Sequence, residues 1–314
     1  MDGRGKGFLP LVVGPTASGK SALAVALARE LNGEIVSCDS MQVYRGMPVA
    51  TAQPTPAERQ GVSHHLIGFL DPSETYSVAR FCGDALAAIA GVRTRGRLPL
   101  IVGGTGLYAD ALADGLRFAG PRGDPDLRRT LADRAEREGN EAMLRELASV
   151  DPVTAARLHP HDRKRVLRAL ELWYGSGVRL SEAERAFKPD QPPFDPLWIG
   201  VTFADRAALY DRIDRRVDAM VAAGLTEEAR AAFERPDAAT AAQAIGHKEL
   251  FPYFEGRASL EECLARLKQQ TRRYAKRQLT WFRRREEIHW LYADREEDLV
   301  GAALTLIRER RKVR

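Results

Sequence analysis

The stretch Gly14-Pro15-Thr16-Ala17-Ser18-Gly19-Lys20-Ser21 spells G-x-x-x-x-G-K-[ST] without a mismatch, a spacing that points to phosphate binding. Successive backbone N–H groups and the N-terminus of a following helix converge on an anion, Lys20 adds a point charge, and the Ser21 hydroxyl can ligate Mg²⁺. Hydrolytic use of such a loop normally needs an acid at the end of a buried strand to hold Mg²⁺ through water. Here the apolar run LPLIV (98–102) ends in Gly103-Gly104-Thr105, which disfavours a motor ATPase. The acid best placed beside the loop is Asp39, just past the apolar run EIVSC. It could act as a general base toward a nucleophile that attacks something carried by the bound phosphates, or serve as an ordinary strand-end turn residue. Thr105, with the Gly103 and Gly104 backbone around it, could donate hydrogen bonds to a leaving oxyanion.

Two later segments carry charge in patterns that suggest chemistry. In YDRIDRRVDAM, Arg212 and Arg216 fall at i, i+4 with acids interleaved, which reads either as a solvated, salt-bridged helix or as a helix with one arginine clamping phosphate. From Arg266 to Arg285 there is no acid among many Lys and Arg, so a chain of net charge +5 is net acidic outside this window. One concentrated patch suggests a polyanion partner. Leu260, Leu264, Leu267, Tyr274 and Trp281 predict an apolar stripe packed on the core, while Lys268, Arg272 and Lys276, with Arg283 close by, predict a cationic face turned outward. DRKRVLRALELW (162–173) repeats the theme, and the histidines lack companions at metal-ligand spacing.

The elements that must position these residues are legible in outline. FLPLVV reads as a buried strand entering the phosphate loop, SALAVALAREL as the helix leaving it, and EIVSC and LPLIV as further buried strands. HLIGFL is a possible strand, and a helix begins at an N-cap, Ser77. This β-loop-α alternation predicts an α/β fold with a parallel sheet covered on both faces. From Gly115 the strands stop: the linker FAGPRGDPD, helical patterns and the proline-rich KPDQPPFDP predict a mostly helical insertion over 115–196, within a core of 1–114 and 197–314. After the strand-like LWIGVTF come expected helices over 205–223, 226–234, 247–255 and 259–285, then a short strand, IHWLY, and a basic terminal helix.

With 314 residues, 44% of them hydrophobic, the chain can bury a full core. Three dispersed cysteines argue against a disulfide framework or zinc site and fit a reducing cytoplasm. No targeting segment, transmembrane span or internal repeat is expected.

Six blocks in order, GPTASGKS, SCDSMQVYRGMPVATAQP, IVGGTGLY, RVLRALE, AIGHKE and YAKRQLTWFR, resemble the bacterial tRNA dimethylallyltransferases over almost the whole chain. The resemblance implies a P-loop NTPase-like, nucleotide-kinase-like core with a helical insertion. It implies a monomer that moves a dimethylallyl group from dimethylallyl diphosphate to the exocyclic amine of the adenosine 3′ of the tRNA anticodon, with Mg²⁺. Residues 14–21 would then hold diphosphate, Ser21 the metal, and Asp39 the amine proton, while Thr105 and Arg216 steady the diphosphate beside Lys20. Implied contacts with the tRNA anticodon stem-loop are Asp39, Ser40, Met41, Gln42, Thr105, Arg128, Arg163, Lys164, Arg165, Val166, Leu167, the segment Gln243 to Lys248, and the segment Lys276 to Arg283, which includes Arg277. Gln243 and Lys248 stand where other members carry arginines, and no C-terminal Cys/His module follows. A small-molecule kinase, an adenylate isopentenyltransferase and a non-enzymatic RNA-binding adaptor remain as rivals; the basic helix argues against the first two.

Overall fold

In the computed structural model, which describes residues 7–116, 124–186, 189, 191–235 and 241–312, the core is a six-stranded parallel sheet. β1 (Gly7–Val13) feeds the phosphate loop and α1 (Lys20–Glu30) leaves it; β2 (Gly33–Ser37), α2 (Pro56–Arg59), β3 (His64–His65), α3 (Val78–Thr94), β4 (Leu98–Gly103) and α4 (Gly106–Ala113) follow. The sheet order is β3-β2-β4-β1-β5-β6, where β5 (Phe194–Thr202) and β6 (His289–Tyr292) come from beyond the insertion. The central strands are Val-, Ile- and Leu-rich because helices cover both faces. Pro10 is tolerated in β1 because it pairs there only with Leu197 of β5; β4 joins from Leu11 onward, opposite Ile101.

The chain divides into two units, Met1–Ala113 with Pro193–Arg314, and Asp114–Pro192. The second is helical, with α5 (Pro125–Glu138), α6 (Asn140–Val150), α7 (Pro152–Ala155), α8 (Arg163–Ser176) and α9 (Leu180–Ala186) around Leu131, Met143, Leu147, Val166 and Leu170. The segments expected as linkers lie partly outside the described residues. Pro196, expected in a linker, is already inside β5 and pairs with Leu9.

In the first unit, α10 (Arg206–Ala222), α11 (Leu225–Phe233), a 3₁₀ turn at Ala241–Gln243, α12 (Phe251–Phe254), α13 (Leu260–Phe282) and α14 (Leu299–Lys312) complete the chain. Ala303, Leu304 and Ile307 of α14 share one core with Leu23 and Leu27 of α1 and the sheet. Ser259 caps α13 in a reciprocal pair with Glu262, and Ser77 caps α3 through Arg80 N–H.

Three expectations change. HLIGFL contributes only its first residue, His65, to the two-residue strand His64–His65, because Leu66 and Gly68 take φ of 62° and 61° and turn the chain. The helix expected from His247 shortens to Phe251–Phe254, preceded by turns. The expected stripe of α13 widens: the fully buried row is Cys263, Leu267, Ala275, Gln278 and Phe282, Leu260 and Leu264 pack half-buried against the same cluster as Leu267, and Tyr274 and Trp281, also half-buried, meet Thr105 and Asp110. No described helix is long and apolar enough to cross a membrane.

Candidate active site

The phosphate loop is shaped by three residues in left-handed or otherwise positive-φ backbone: Gly14 (146°), Ala17 (63°) and Gly19 (94°). A side chain on Gly14 would run into the Val201 carbonyl of β5. Lys20 folds back so that its ammonium donates to the Pro15 carbonyl at 3.1 Å. Burial, with the nearby Arg216 cation, pushes the Lys20 ammonium down to about 8, against the opposing pull of Asp39. The Ser18 hydroxyl is 1% exposed and has no hydrogen-bond partner, while Ser21 is exposed on the first turn of α1.

Asp39 leaves the end of β2 half-buried, and its Oδ1 accepts the N–H groups of Met41 at 2.9 Å and Gln42 at 3.2 Å. Thr105 sits at the end of β4. Its hydroxyl accepts the Ser40 N–H at 3.1 Å and meets the Tyr274 hydroxyl from α13. Burial first, and then the charge of Asp39, pushes the Tyr274 phenol up, so it stays protonated beside that carboxylate. Gln42 is committed within its own loop: its Oε1 accepts from Ser37 and its Nε2 donates to the Thr51 and Ala52 carbonyls.

The glycines around Thr105 answer to packing. A Cβ on Gly103 would overlap the Cys38 backbone, one on Gly104 the Gln278 amide, and one on Gly106 the Trp281 ring. Helix α13 presses directly on this loop. Gln278, 5% exposed, accepts the Thr16 N–H at 2.8 Å and donates to the Gly104 carbonyl at 2.9 Å. Trp281 Nε1 donates to Asp110 of α4 at 2.8 Å. The sequence signal for Gln278 is its place on the same helix face as Tyr274 and Trp281, one turn from each.

Helix α10 resolves its mixed charges onto separate faces. Arg216 is half-buried near Lys20 and Asp39, and burial holds its guanidinium below its usual range. Arg212, one turn away, lies over Phe203 with its guanidinium near Gly19. Asp214 and Asp218 turn the other way and pair with Arg272 at 2.7 Å and Lys268 at 2.6 Å. The cationic face expected from Lys268, Arg272 and Lys276 is therefore corrected: the first two are neutralised against α10, while Lys276, Arg277 and Arg283 stay exposed. Lys276 and Arg283 rim a cavity of about 160 Å³ with Arg206, Leu209, Tyr210 and Phe203.

Within the helical unit, the segment 163–167 splits. Val166 is 1% exposed in the core and so offers no surface to RNA, Leu167 packs half-buried against that core, and Lys164 and Arg165 are exposed. Arg163 bonds Glu136 at 2.6 Å and the Ala132 carbonyl, and Arg128 bonds Glu171 at 2.8 Å. In AIGHKE, the buried His247 pairs with Glu228, whose carboxylate accepts the Val49 and Ala50 N–H groups. Gln243 and Lys248 flank it at the surface.

No group of three His, Cys, Asp or Glu among the described residues could hold a metal. A loop whose side-chain oxygens are the Thr16, Ser18 and Ser21 hydroxyls is compatible with a hard divalent cation that keeps several waters and takes few protein groups. The orphaned Ser18 hydroxyl fits an anion-binding loop in the same way.

The family described as IPP transferase matches residues 42–285, and that described as isopentenyl transferase matches residues 8–68. A tRNA dimethylallyltransferase of Geobacillus kaustophilus is 48% identical over 281 residues, covering 89% of this chain and 89% of its own. The chain belongs to the tRNA dimethylallyltransferase family. The homologue of that name from Pelotomaculum thermopropionicum is 44% identical, with 96% of this chain and 95% of the relative covered. Among solved structures, the full-length tRNA isopentenylpyrophosphate transferase of Bacillus halodurans superposes with a TM-score of 0.72 at 41% identity, covering 98% and 99% of the two chains. A eukaryotic dimethylallyltransferase acting on tRNA gives a TM-score of 0.80 at 30% identity, covering 96% of this chain and 78% of that one. Like other tRNA dimethylallyltransferases, this one is a transferase of P-loop NTPase-like fold that modifies tRNA with a dimethylallyl group.

Proposed function

We propose that this transferase moves the dimethylallyl group of dimethylallyl diphosphate onto the exocyclic amine of the adenosine 3′ of the tRNA anticodon. The observation that carries the residue assignments is an arrangement at one sheet edge. The phosphate loop after β1, Asp39 after β2 and Thr105 after β4 stand at the C-terminal ends of neighbouring parallel strands, with Arg216 over them.

In the reaction, the amine nitrogen bonds to the allylic carbon as the carbon–oxygen bond to diphosphate breaks. The Asp39 oxygen not used in its turn takes the amine proton. Negative charge gathering on the diphosphate is met by the loop N–H groups, Lys20 and Arg216, with Thr105 placed at the departing oxygen. Mg²⁺ held by Ser21 and the diphosphate would supply further neutralising charge. Carbon is the electrophile, so no strand-end acid is needed to position a water, which fits the absence of an acid at the end of β4. The adenine must leave the anticodon-loop stack to present its amine, and the exposed Lys276, Arg277 and Arg283 meet the surrounding RNA backbone. Gln243 and Lys248 add to that contact, and the helical unit offers the exposed Lys164 and Arg165 as contacts of its own, with Arg128 and Arg163 in the same unit. One chain supplies every group named, so a monomer suffices.

The test is incubation with Mg²⁺, dimethylallyl diphosphate and either unmodified tRNA or AMP, followed by digestion and mass analysis. Prenylated adenosine is expected from tRNA alone. Transfer only to AMP, or phosphate release from ATP, would overturn the proposal.

A further inference from the structure

We propose that Gln278 is a positioning residue that fixes the spacing between the two loops of the donor site and transmits RNA docking on α13 to them. This rests on reading residues 14–21 as a diphosphate cradle. The Gln278 side chain is 5% exposed and uses both ends of its amide. Its oxygen accepts the Thr16 N–H at 2.8 Å and its nitrogen donates to the Gly104 carbonyl at 2.9 Å, so one side chain ties the loop after β1 to the loop after β4. Withdrawing the Thr16 N–H from the cradle sets the orientation of that peptide. Holding Gly104 sets the position of Thr105 beside it.

The helix that carries this amide also carries the cationic surface. Lys276 and Arg277 on α13 and Arg283 at its C-cap are exposed, within two turns of Gln278. The side of α13 turned inward meets the site repeatedly: Tyr274 at Thr105, Gln278 at both loops, and Trp281 at Asp110, which Arg285 just beyond the helix also bonds. A shift of α13 on RNA contact therefore moves the Gln278 amide with it. Coupling of this kind is reciprocal, so diphosphate and RNA should each tighten the other. A buried amide satisfied at both ends cannot be exchanged for an apolar side chain without orphaning the Thr16 N–H and the Gly104 carbonyl.

The test uses the full chain with Gln278→Met, which removes both hydrogen bonds at similar length, and Gln278→Glu, which regains both only when its carboxyl is protonated. Binding of inorganic diphosphate with Mg²⁺ is measured by calorimetry with and without an unmodified anticodon stem-loop RNA. RNA affinity and the single-turnover rate are measured alongside. The unsubstituted protein is expected to bind diphosphate more tightly when RNA is present. In Gln278→Met, RNA affinity should stay within about twofold while the RNA-dependent gain in diphosphate affinity falls about fivefold or more and the rate about tenfold or more. The rate of Gln278→Glu relative to the unsubstituted protein should rise as pH is lowered, a signature that a mere packing role would not give. Gly104→Ala, which displaces the same amide from the opposite side, should reproduce the loss of coupling even if Gln278→Met fails to fold. Retention of the full rate and coupling by these variants, or parallel loss of RNA affinity and rate, overturns the proposal. Failure of the unsubstituted protein to bind diphosphate would instead remove the cradle reading on which it stands.

Discussion

Asp39 closes a turn on Met41: its Oδ1 accepts the Met41 N–H at 2.9 Å and, with the same atom, the Gln42 N–H at 3.2 Å. The two sequence readings of this residue, turn-former and general base, are thus compatible, because one carboxylate oxygen serves the turn and the other is left for the amine. Substitution can separate them. Asn keeps an acceptor for the turn but cannot take a proton, so Asp39→Asn should lose about 10²–10⁴-fold in single-turnover rate while tRNA affinity and melting temperature hold. Asp39→Ala should add a loss of stability, since it opens the turn as well. A rate within a few-fold of the parent for Asp39→Asn would remove the base assignment.

Lys20 gives a pH dependence with a defined sign. Burial pushes its ammonium from 10.5 to about 8, so in the free protein it is charged below that pH and neutral above it. Bound diphosphate favours the ammonium and raises the value again. Binding of dimethylallyl diphosphate without RNA should therefore take up a proton near pH 8.5, and affinity should fall by up to about tenfold per pH unit above pH 8. Calorimetry in buffers of different ionisation enthalpy reads the proton directly, and its absence would place Lys20 outside the cradle. For the unliganded fold the sign reverses. The unfolded chain binds the extra proton between about 8 and 10.5, so the Lys20 contribution makes stability rise with pH across that window, and Lys20→Met should abolish the rise.

How much of this was legible in the sequence depended on whether local chemistry or tertiary geometry placed the residue. The loop at 14–21, Asp39 and Thr105 were readable because each follows an apolar run that can only be a buried strand, and parallel strands deliver such ends to one edge. The strand order, with β1 between β4 and β5, was not readable, because pairing depends on how the crossovers pack. The apolar stripe of α13 was legible, but Gln278 within the buried face was not, because a polar amide reads as surface until its two loop partners are known. HLIGFL failed as a strand because Leu66 adopts a backbone conformation that β-branched and large apolar residues rarely take. Arg212 and Arg216 could be paired by spacing, but only the fold shows both turned toward the phosphate loop while Asp214 and Asp218 turn to α13.

That division of charge yields a contrast in salt dependence. Lys276 and Arg283 are exposed, whereas Lys268 and Arg272 are held by Asp218 and Asp214. Neutralising Lys276 and Arg283 to Gln should lower the slope of log affinity for tRNA against log salt by about 0.7–0.9 per residue. Neutralising Lys268 and Arg272 should leave that slope nearly unchanged and cost less than about 1 kcal/mol each in stability, as partly exposed ion pairs do. Filter binding across a salt series distinguishes the pairs. Equal slopes for both double variants would return the cationic face to the arrangement expected from helical spacing alone.

Two glycines test whether α13 determines the sequence of the loop beneath it. Gly106 opens α4 and Gly83 lies inside α3, so by helix propensity alone Gly→Ala should stabilise either site by up to about 1 kcal/mol. Their surroundings differ: a Cβ on Gly106 would overlap the indole of Trp281, while a Cβ on Gly83 meets nothing within 4 Å. Gly83→Ala should therefore raise the melting temperature. Gly106→Ala should lower it, because overpacking costs about 1–3 kcal/mol and outweighs the propensity gain. The indole has little freedom to yield, since its Nε1 is tied to Asp110 at 2.8 Å. A change in tryptophan fluorescence should accompany the Gly106 variant alone. If both variants were stabilised equally, Trp281 would not be pressing on this loop, and the glycine there would need another cause.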